Sequence, residues 1–481
     1  MAFPFPPLVR RLQEVVPPEA QVHLVGGTVR DALRGRASHD VDLVAPAHTL
    51  RLARQIADAL GAAFYPLDPQ RGIGRVVFTS PQGERLLIDL AAYRGPTLED
   101  DLRGRDFTIN ALAVPLHHPD RLIDPTHGLQ DLKDNILRAC SPTAFADDPV
   151  RILRAPRLAA ALGLRIEPLT RGWMQQAVPL LEDVSPERLR DELFRILSGP
   201  KPTAPLKALD AITALDYVLP ELPRLHGRHL LWPHTADAWA AAMRTVDALT
   251  ALLAALDPVY DQEKAADFAL GFAMVRIGRY RQALAEHLRR GSHPERPLAA
   301  LLALAALFQY TAEEPAPAAQ AAATRGQALR LSNAEIRRWR TMVRYHRLPE
   351  GWTARGRLPS RREIYRYFRA TGEAGVDVAL LSLAAMLARY GPRLPHDRWQ
   401  AHLETVRSLL AAWWEQREEV VAPRPLLNGE DLIREVGARP GPLLGQVLEA
   451  LREAQAAGEV REREQALRWA AAWLEAQQRD A

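Results

Sequence analysis

Apolar positions in the first hundred residues alternate between two rhythms. Val22, Leu24 and Val25 form a short run, partly β-branched, that stops at Gly26-Gly27 and predicts a buried strand. Thr28 to Leu33 then predicts the opening of a helix, and Val41 to Val44 a second strand. Leu8 to Val15 and Thr49 to Leu60 carry apolar residues at helical spacing. Ala63 to Leu67, Arg75 to Thr79 and Arg85 to Leu90 predict further strands between Gly and Pro turns. Beyond about residue 140 the pattern is helical, with long runs of Ala, Leu, Arg and Glu broken by Pro and Gly. Ala312 to Ala323 is low in complexity and predicts a loop or linker. The expected fold class is α+β. A small mixed-sheet head (1–140) precedes an all-helical neck (141–200), body (201–350) and tail (351–481).

Composition changes this picture little. The 481 residues suffice for several domains, and 47% hydrophobic with 25% charged residues is ordinary for a globular protein. A net charge of +4 with arginine-rich cations hints at a polyanionic partner. The single cysteine, Cys140, excludes an internal disulfide and fits a reducing cytosol. The opening MAFPFPPLVRRL lacks the order of a signal peptide, and the apolar runs predict no membrane span. A cytoplasmic location is the expectation.

The candidate chemistry sits on the second strand. Asp40 and Asp42 are two apart, so they leave one face of the strand. Two carboxylates on one face resist joint ionisation unless a cation lies between them, and magnesium suits hard oxygen donors shared with phosphates. Gly26 and Gly27 open a helix whose first N–H groups can cradle a phosphate, with Arg30 one turn on. Asp101 to Ala113 reads DLRGRDFTINALA. There Arg105 can clamp phosphate oxygens, Asp106 can cap the next turn or hold the ribose or the arginine, and Asn110 lies on a helix-like run. Asp147, Asp148 and Pro149 start a predicted helix on which Asp148, Arg151 and Arg154 share a face.

The words GGTVRD and HDVDLV resemble the head of the class II tRNA nucleotidyltransferase and poly(A) polymerase family. RGRDFTINA resembles that family's RRDFTINA, with Gly104 where an arginine often stands. DDPVR resembles its EDxxR motif, with Asp147 for the usual Glu, and SPERLRDEL its ERLRxEL element. Pro425 to Trp473 resembles the C-terminal segment of bacterial CCA-adding enzymes, so the likeness spans nearly the whole chain. The resemblance implies a third acidic residue at Asp89, an aspartate where glutamate is common, followed by Arg94. It implies that Asp40 and Asp42 hold two Mg2+ ions. Gly26, Gly27, Arg30, Arg105, Asp106 and Asn110 would hold the nucleotide, and Asp148, Arg151 and Arg154 would read its base. The implied reaction adds C and A from CTP and ATP to the 3′ end of tRNA. Addition of CC only, A only or poly(A) shares the same motifs. No membrane and no obligate protein partner is implied.

The body resembles an HD-type phosphohydrolase that has lost its metal. Pro233 to Asp237 matches the entry of such a domain, yet Ala303 and Leu304 stand where its His-Asp pair belongs, and only His346 of the later word is kept. An intact DVD likewise argues against a catalytically inactive tRNA-binding protein. In the tail, arginines of Arg355 to Arg369 interleave with Tyr365, Tyr367 and Phe368, a pattern open to RNA contact or to a solvated arginine face over a core stripe. Backbone amides near Gly441 are a second candidate phosphate contact.

Overall fold

The computed structural model describes residues 5–36, 40–80, 85–230, 236–259, 268–290, 293 and 295–479. His234, one of the two histidines kept from the HD-type pattern, lies outside them. The chain forms two compact units, residues 1–184 with 207–217 and residues 185–206 with 218–481.

The first unit is built on a six-stranded sheet of order β3-β4-β5-β2-β1-β6. Its strands are β1 (His23–Val25), β2 (Asp40–Ala45), β3 (Ala63–Asp68), β4 (Ile73–Thr79), β5 (Arg85–Ala92) and β6 (Ala113–Pro115). Only β2 and β5 run parallel; every other neighbouring pair is antiparallel. Val41, Leu43, Ile88 and Leu90 point to one face and bury against Leu52 and Ile56 of the helix α3 (Thr49–Leu60), with Leu8 and Leu12 of α1 (Pro7–Val15) in the same core. Alternation therefore puts the intervening aspartates of β2 on the other face. The helix α2 (Gly26–Leu33) follows β1 directly, as the glycine stop predicts.

Two short helices close the other face, α4 (Leu98–Arg103) and α5 (Gly128–Lys133). Asp124 caps α5 by accepting the N–H groups of Gly128 at 2.8 Å and Leu129 at 3.0 Å. Asp131 accepts the Thr108 hydroxyl at 2.7 Å and Arg138 Nε at 3.0 Å. Those bonds pin the single 3-10 turn Thr108–Asn110, which replaces the helix expected around Asn110. The neck departs from expectation as well. The acidic pair does not open its long helix: Asp147 ends a four-residue helix, α6 (Ala144–Asp147), Asp148 is extended, and α7 begins at Arg151 (Arg151–Leu162).

The second unit is helical. Ala312 to Ala323 is not a linker: Pro315–Ala328 is a helix with Pro315 at its first position and Ala318, Ala319 and Ala322 buried. High alanine propensity and a proline where its missing N–H costs nothing explain this. The apolar runs are also longer than expected. Two helices, Ala238–Ala255 and Ala374–Arg393, have the length and hydropathy to cross a membrane, yet 56% and 78% of their apolar windows are buried inside the fold. Ala303 and Leu304 are buried in the helix Leu298–Phe308. The arginines of the tail are committed to carboxylates. Arg362 and Arg366 reach Glu453, Arg369 reaches Glu449, and the Tyr365 hydroxyl donates to Glu449 at 2.9 Å. Tyr367 and Phe368 are buried, so the basic and aromatic pattern cements Arg361–Thr371 to Pro442–Ala457.

Gly128 is the tightest point under the site. A methyl there would lie 2.0 Å from the Thr108 carbonyl oxygen and 2.6 Å from its carbon, both backbone. Gly128→Ala must displace the turn that carries Asn110. It is expected to destabilise the first unit by roughly 2–4 kcal/mol, seen as a lowered melting temperature against wild type.

Candidate active site

The site is built on the polar face of β2. Asp42 lies beside Asp89 across the parallel β2–β5 pair, and Asp89 beside Arg75 across β4–β5. Residues paired in register share a face, so Asp40, Asp42 and Asp89 leave the sheet together. Arg75 grips Asp89 through two bonds of 2.8 Å each. Thr28, which sequence reading passed over although it sits inside GGTVRD, clamps the strand. Its Oγ1 accepts the Asp42 N–H at 2.8 Å and donates to the Asp40 carbonyl at 3.2 Å.

Gly26 is a glycine for two reasons. Its φ is +65°, and a methyl there would stand 3.2 Å from Asp42 Oδ2 and 3.3 Å from Arg105 Nη1. A side chain would wedge the carboxylate from the arginine. The approach leaves the first N–H groups of α2 facing the same space as Asp42.

A cleft of about 320 Å³ opens beside these glycines. Six arginines line it: Arg30, Arg94, Arg105, Arg151, Arg154 and Arg157. Asp42, Asp106, Asn110 and Asp148 complete its polar wall. Asp40 and Asp89 stand alongside Asp42 on the sheet and do not line the cleft.

One hydrogen-bond relay ties these groups together. Arg30 Nη1 donates to Asn110 Oδ1 at 2.7 Å, Asn110 Nδ2 to Asp106 Oδ1 at 3.1 Å, and Arg154 Nη1 to Asp106 Oδ2 at 3.1 Å. Asp31 holds the other side of Arg30 at 2.9 and 3.0 Å. Burial alone would raise the Asp106 carboxyl. Arg154, the Asn110 amide and the Phe107 N–H together hold it below the ordinary aspartate value. Asp101, also missed from sequence although it stands one helical turn before Arg105, anchors that arginine at 2.9 and 3.1 Å. It also accepts the Arg94 N–H at 3.1 Å.

Arg151 is bound differently from expectation. Its guanidinium donates to the carbonyls of Gly104 at 3.1 Å, Arg105 at 3.4 Å and Ala144 at 3.1 Å. Its Nε is buried without a hydrogen-bond partner and lies 3.9 Å from Asp148 Oδ2. The pair is brought together at the cleft, but the fork of Arg151 braces the loop before Asp106.

The donor set fits a hard divalent cation. Burial first, then the charge of Asp89 and that of Asp40, push the Asp42 carboxyl up to about 6, against the pull of Arg105 and Arg30. A carboxylate that is costly to ionise in the bare protein is stabilised by an adjacent cation. Among the described residues no group of three His, Cys, Asp or Glu side chains converges as a closed metal site. Asp40 and Asp42 would therefore supply two positions of an open shell, as suits magnesium shared with phosphates.

A mixed sheet with paired aspartates, a glycine-opened helix and an arginine-lined cleft defines a nucleotidyltransferase head. The Poly A polymerase head domain matches residues 22–138, an RNA and SrmB-binding site of polymerase A residues 163–225, and tRNA nucleotidyltransferase domain 2 residues 399–471. A CC-adding tRNA nucleotidyltransferase of Geobacter sulfurreducens is 34% identical over 93% of this chain and 90% of its own. An A-adding tRNA nucleotidyltransferase of Deinococcus radiodurans is 34% identical over 97% and 99%. A CCA-adding enzyme in complex with CTP shares the fold, with a TM-score of 0.62 at 22% identity over 98% of this chain and 96% of that one. The chain belongs to the tRNA nucleotidyltransferase and poly(A) polymerase family.

The raised Asp42 carboxyl makes a stability prediction of definite sign. Between the unfolded aspartate value near 4 and the folded value of about 6, the folded state binds more protons than the unfolded one, so this group lowers stability as pH rises through that window. In EDTA at pH 7, Asp42→Asn is expected to melt above wild type. The gain should shrink as pH falls from 6 to 4. Thermal melts across that range check it, and an Asn variant less stable at pH 7 contradicts it.

Proposed function

We propose that this protein adds C and A, from CTP and ATP, to the 3′ end of tRNA. The observation that carries the reading is the cleft itself, six arginines around about 320 Å³ immediately beside Asp42. A nucleoside triphosphate is the ligand whose charge suits that lining. Family membership supplies the tRNA nucleotidyltransferase activity; the choice of nucleotides is this proposal's own.

The residues divide the work by position. The N–H groups opening α2, with Arg30 and Arg105, hold the phosphates. Asn110 and Asp106 keep Arg30 and Arg154 at fixed separation and face the sugar side of the cleft. Asp148 presents acceptors to the base edge and Arg151 presents donors, once its carbonyl partners are exchanged for the base. Asp40 and Asp42 hold the divalent metal, generally Mg2+ in nucleotidyltransferases of this family. When bound, that metal neutralises the triphosphate and favours the ionised RNA 3′-hydroxyl. Asp89, held by Arg75, contributes negative charge beside Asp42. A cytoplasmic location accords with this reading.

A second reading, addition of CC alone or of A alone, draws on one observation. Relatives named CC-adding and A-adding match along the chain, at 34% identity over 93% and 34% over 97%, whereas a multifunctional CCA protein matches over only 43%. Incubating the protein with tRNA lacking CCA, with CTP and ATP singly and together, and sequencing the 3′ ends separates the two. CCA ends with both nucleotides support the first reading. Ends that stop at CC, or that gain A alone, support the second.

Two substitutions test the site. Asp42→Ala is expected to abolish incorporation while tRNA affinity in a filter-binding assay stays within about twofold of wild type; wild-type turnover would remove the metal assignment. Arg151→Ala is expected to raise UTP and GTP incorporation relative to CTP and ATP. A slower enzyme of unchanged selectivity would assign Arg151 to bracing the 104–105 carbonyls alone.

A further inference from the structure

The second unit contains a larger cleft, of about 820 Å³, that the nucleotidyl transfer does not use. Four arginines line it: Arg228, Arg347, Arg389 and Arg398. They come from separate elements. Arg228 follows the 3-10 turn Pro223–Leu225, and Arg347 caps the helix Leu348–Ala354. Arg389 lies on Ala374–Tyr390 and Arg398 on His396–Trp414. Among the described residues no lysine lines the cleft.

How each arginine is held decides what the cleft can bind. Arg228 donates to the Tyr310 carbonyl at 2.8 Å, and Arg347 to the Glu313 carbonyl at 2.7 Å. A carbonyl orients a guanidinium but leaves its charge uncancelled. Arg389 and Arg398 share the single carboxylate of Glu350, so one negative charge serves two positive ones. Glu313 and Glu314 also touch the cleft, but both are exposed to solvent, where screening weakens them. The recess therefore keeps a positive surplus on forks already oriented.

His346 reports the same field. Its Nδ1 is bonded to the Val343 carbonyl at 2.8 Å. Burial first, then the charges of Arg347 and Arg389, push it down to about 4, so it is neutral at pH 7. This is the residue kept from the HD-type pattern, whose metal-binding pair is replaced by Ala303 and Leu304. Cationic charge in this recess comes from guanidinium groups. Gly351, Ala354 and Ala385 line it as well, and their small side chains leave its space open.

We propose that this cleft is a second binding site, for a small phosphate monoester of about nucleotide size. Planar, oriented guanidinium forks suit the oxygens of a terminal phosphate. The volume lies within the range of small-molecule sites, roughly 300–1,000 Å³. An RNA duplex fits less well. Glu350 and Arg389, 16% and 24% exposed, lie below the surface a duplex would touch, with Arg347 exposed at the rim. The site is independent of the reading given to the head, and either can fail without the other.

The test is calorimetric titration of the full chain with inorganic phosphate and with AMP, comparing wild type and Arg228→Gln/Arg347→Gln. Among the described residues both substituted side chains are held by carbonyls, so the fold is expected to keep its melting temperature and its incorporation activity. Affinity for both probes at one site should fall at least tenfold. Arg347→Gln alone, at an exposed position, should weaken it at least threefold and serves if the double variant does not fold. Equal binding by wild type and variants overturns the proposal, as does wild type binding only at a site both variants keep. Loss of tRNA affinity with phosphate binding unchanged also overturns it and makes the cleft an RNA contact.

Discussion

The first unit depends on holding six guanidinium groups around one small space without letting them repel it open. The relay from Asp31 through Arg30, Asn110 and Asp106 to Arg154 does most of this. It crosses from the helix after β1 to the turn after α4 and on to the neck helix, so three separate stretches are set relative to one another by three side-chain bonds. Asp101 fixes Arg105 in the same way, and the carbonyls at 104, 105 and 144 fix Arg151. Arg30, Arg105, Arg151 and Arg154 thus pay their ordering cost on folding, before any ligand arrives. Preorganised charge of this kind binds a polyphosphate more strongly than mobile side chains would.

Arginine is held in two ways in this chain, and the partner distinguishes them. In the tail, Arg362, Arg366 and Arg369 meet Glu449, Glu453 and Glu459, as many carboxylates as guanidinium groups. Those pairs are partly exposed and stabilise by about 0.2–1 kcal/mol each at most. In the head, arginines are held by carboxylates that are themselves shared, or by carbonyls. The body cleft repeats the head's arrangement. An abundance of arginine in sequence therefore says little; the ratio of guanidinium groups to carboxylates around a recess says more.

That ratio was not legible in the sequence, because the partners are distant along it. Arg369 and Glu449 are 80 positions apart, and nothing local announces the pairing. The sheet was legible because its signals are local: alternation across β2, the glycine stop before α2 and turn residues between β3, β4 and β5. The expected boundaries of those strands fall within a few residues of the observed ones. Most of the motif residues line one cleft for the same reason, since each word fixes a turn or a strand end, while Asp40 and Asp89 stand beside Asp42 on the sheet. What failed was context. Low complexity at Ala312 to Ala323 concealed a good helix, and the acidic pair at Asp147 and Asp148 was read as a helix start when the chain kinks there. The carbonyls of three residues from other stretches that hold Arg151 are likewise invisible in the local sequence.

Asp89 shows how a departure in one residue is matched by another. An aspartate on β5 reaches less far from the sheet than the glutamate common at this place in the family. Arg75, opposite it in register, holds both of its oxygens. Unpaired, a third carboxylate beside Asp42 would raise the Asp42 carboxyl further. Paired, Asp89 still adds negative charge to Asp42 but is itself braced. On the function proposed above, Asp40 and Asp42 would hold the divalent ion, and the triphosphate and water would complete its shell. The bare head keeps Asp42 at the edge of protonation, and on that reading the site would become electrostatically complete only with cation and nucleotide together.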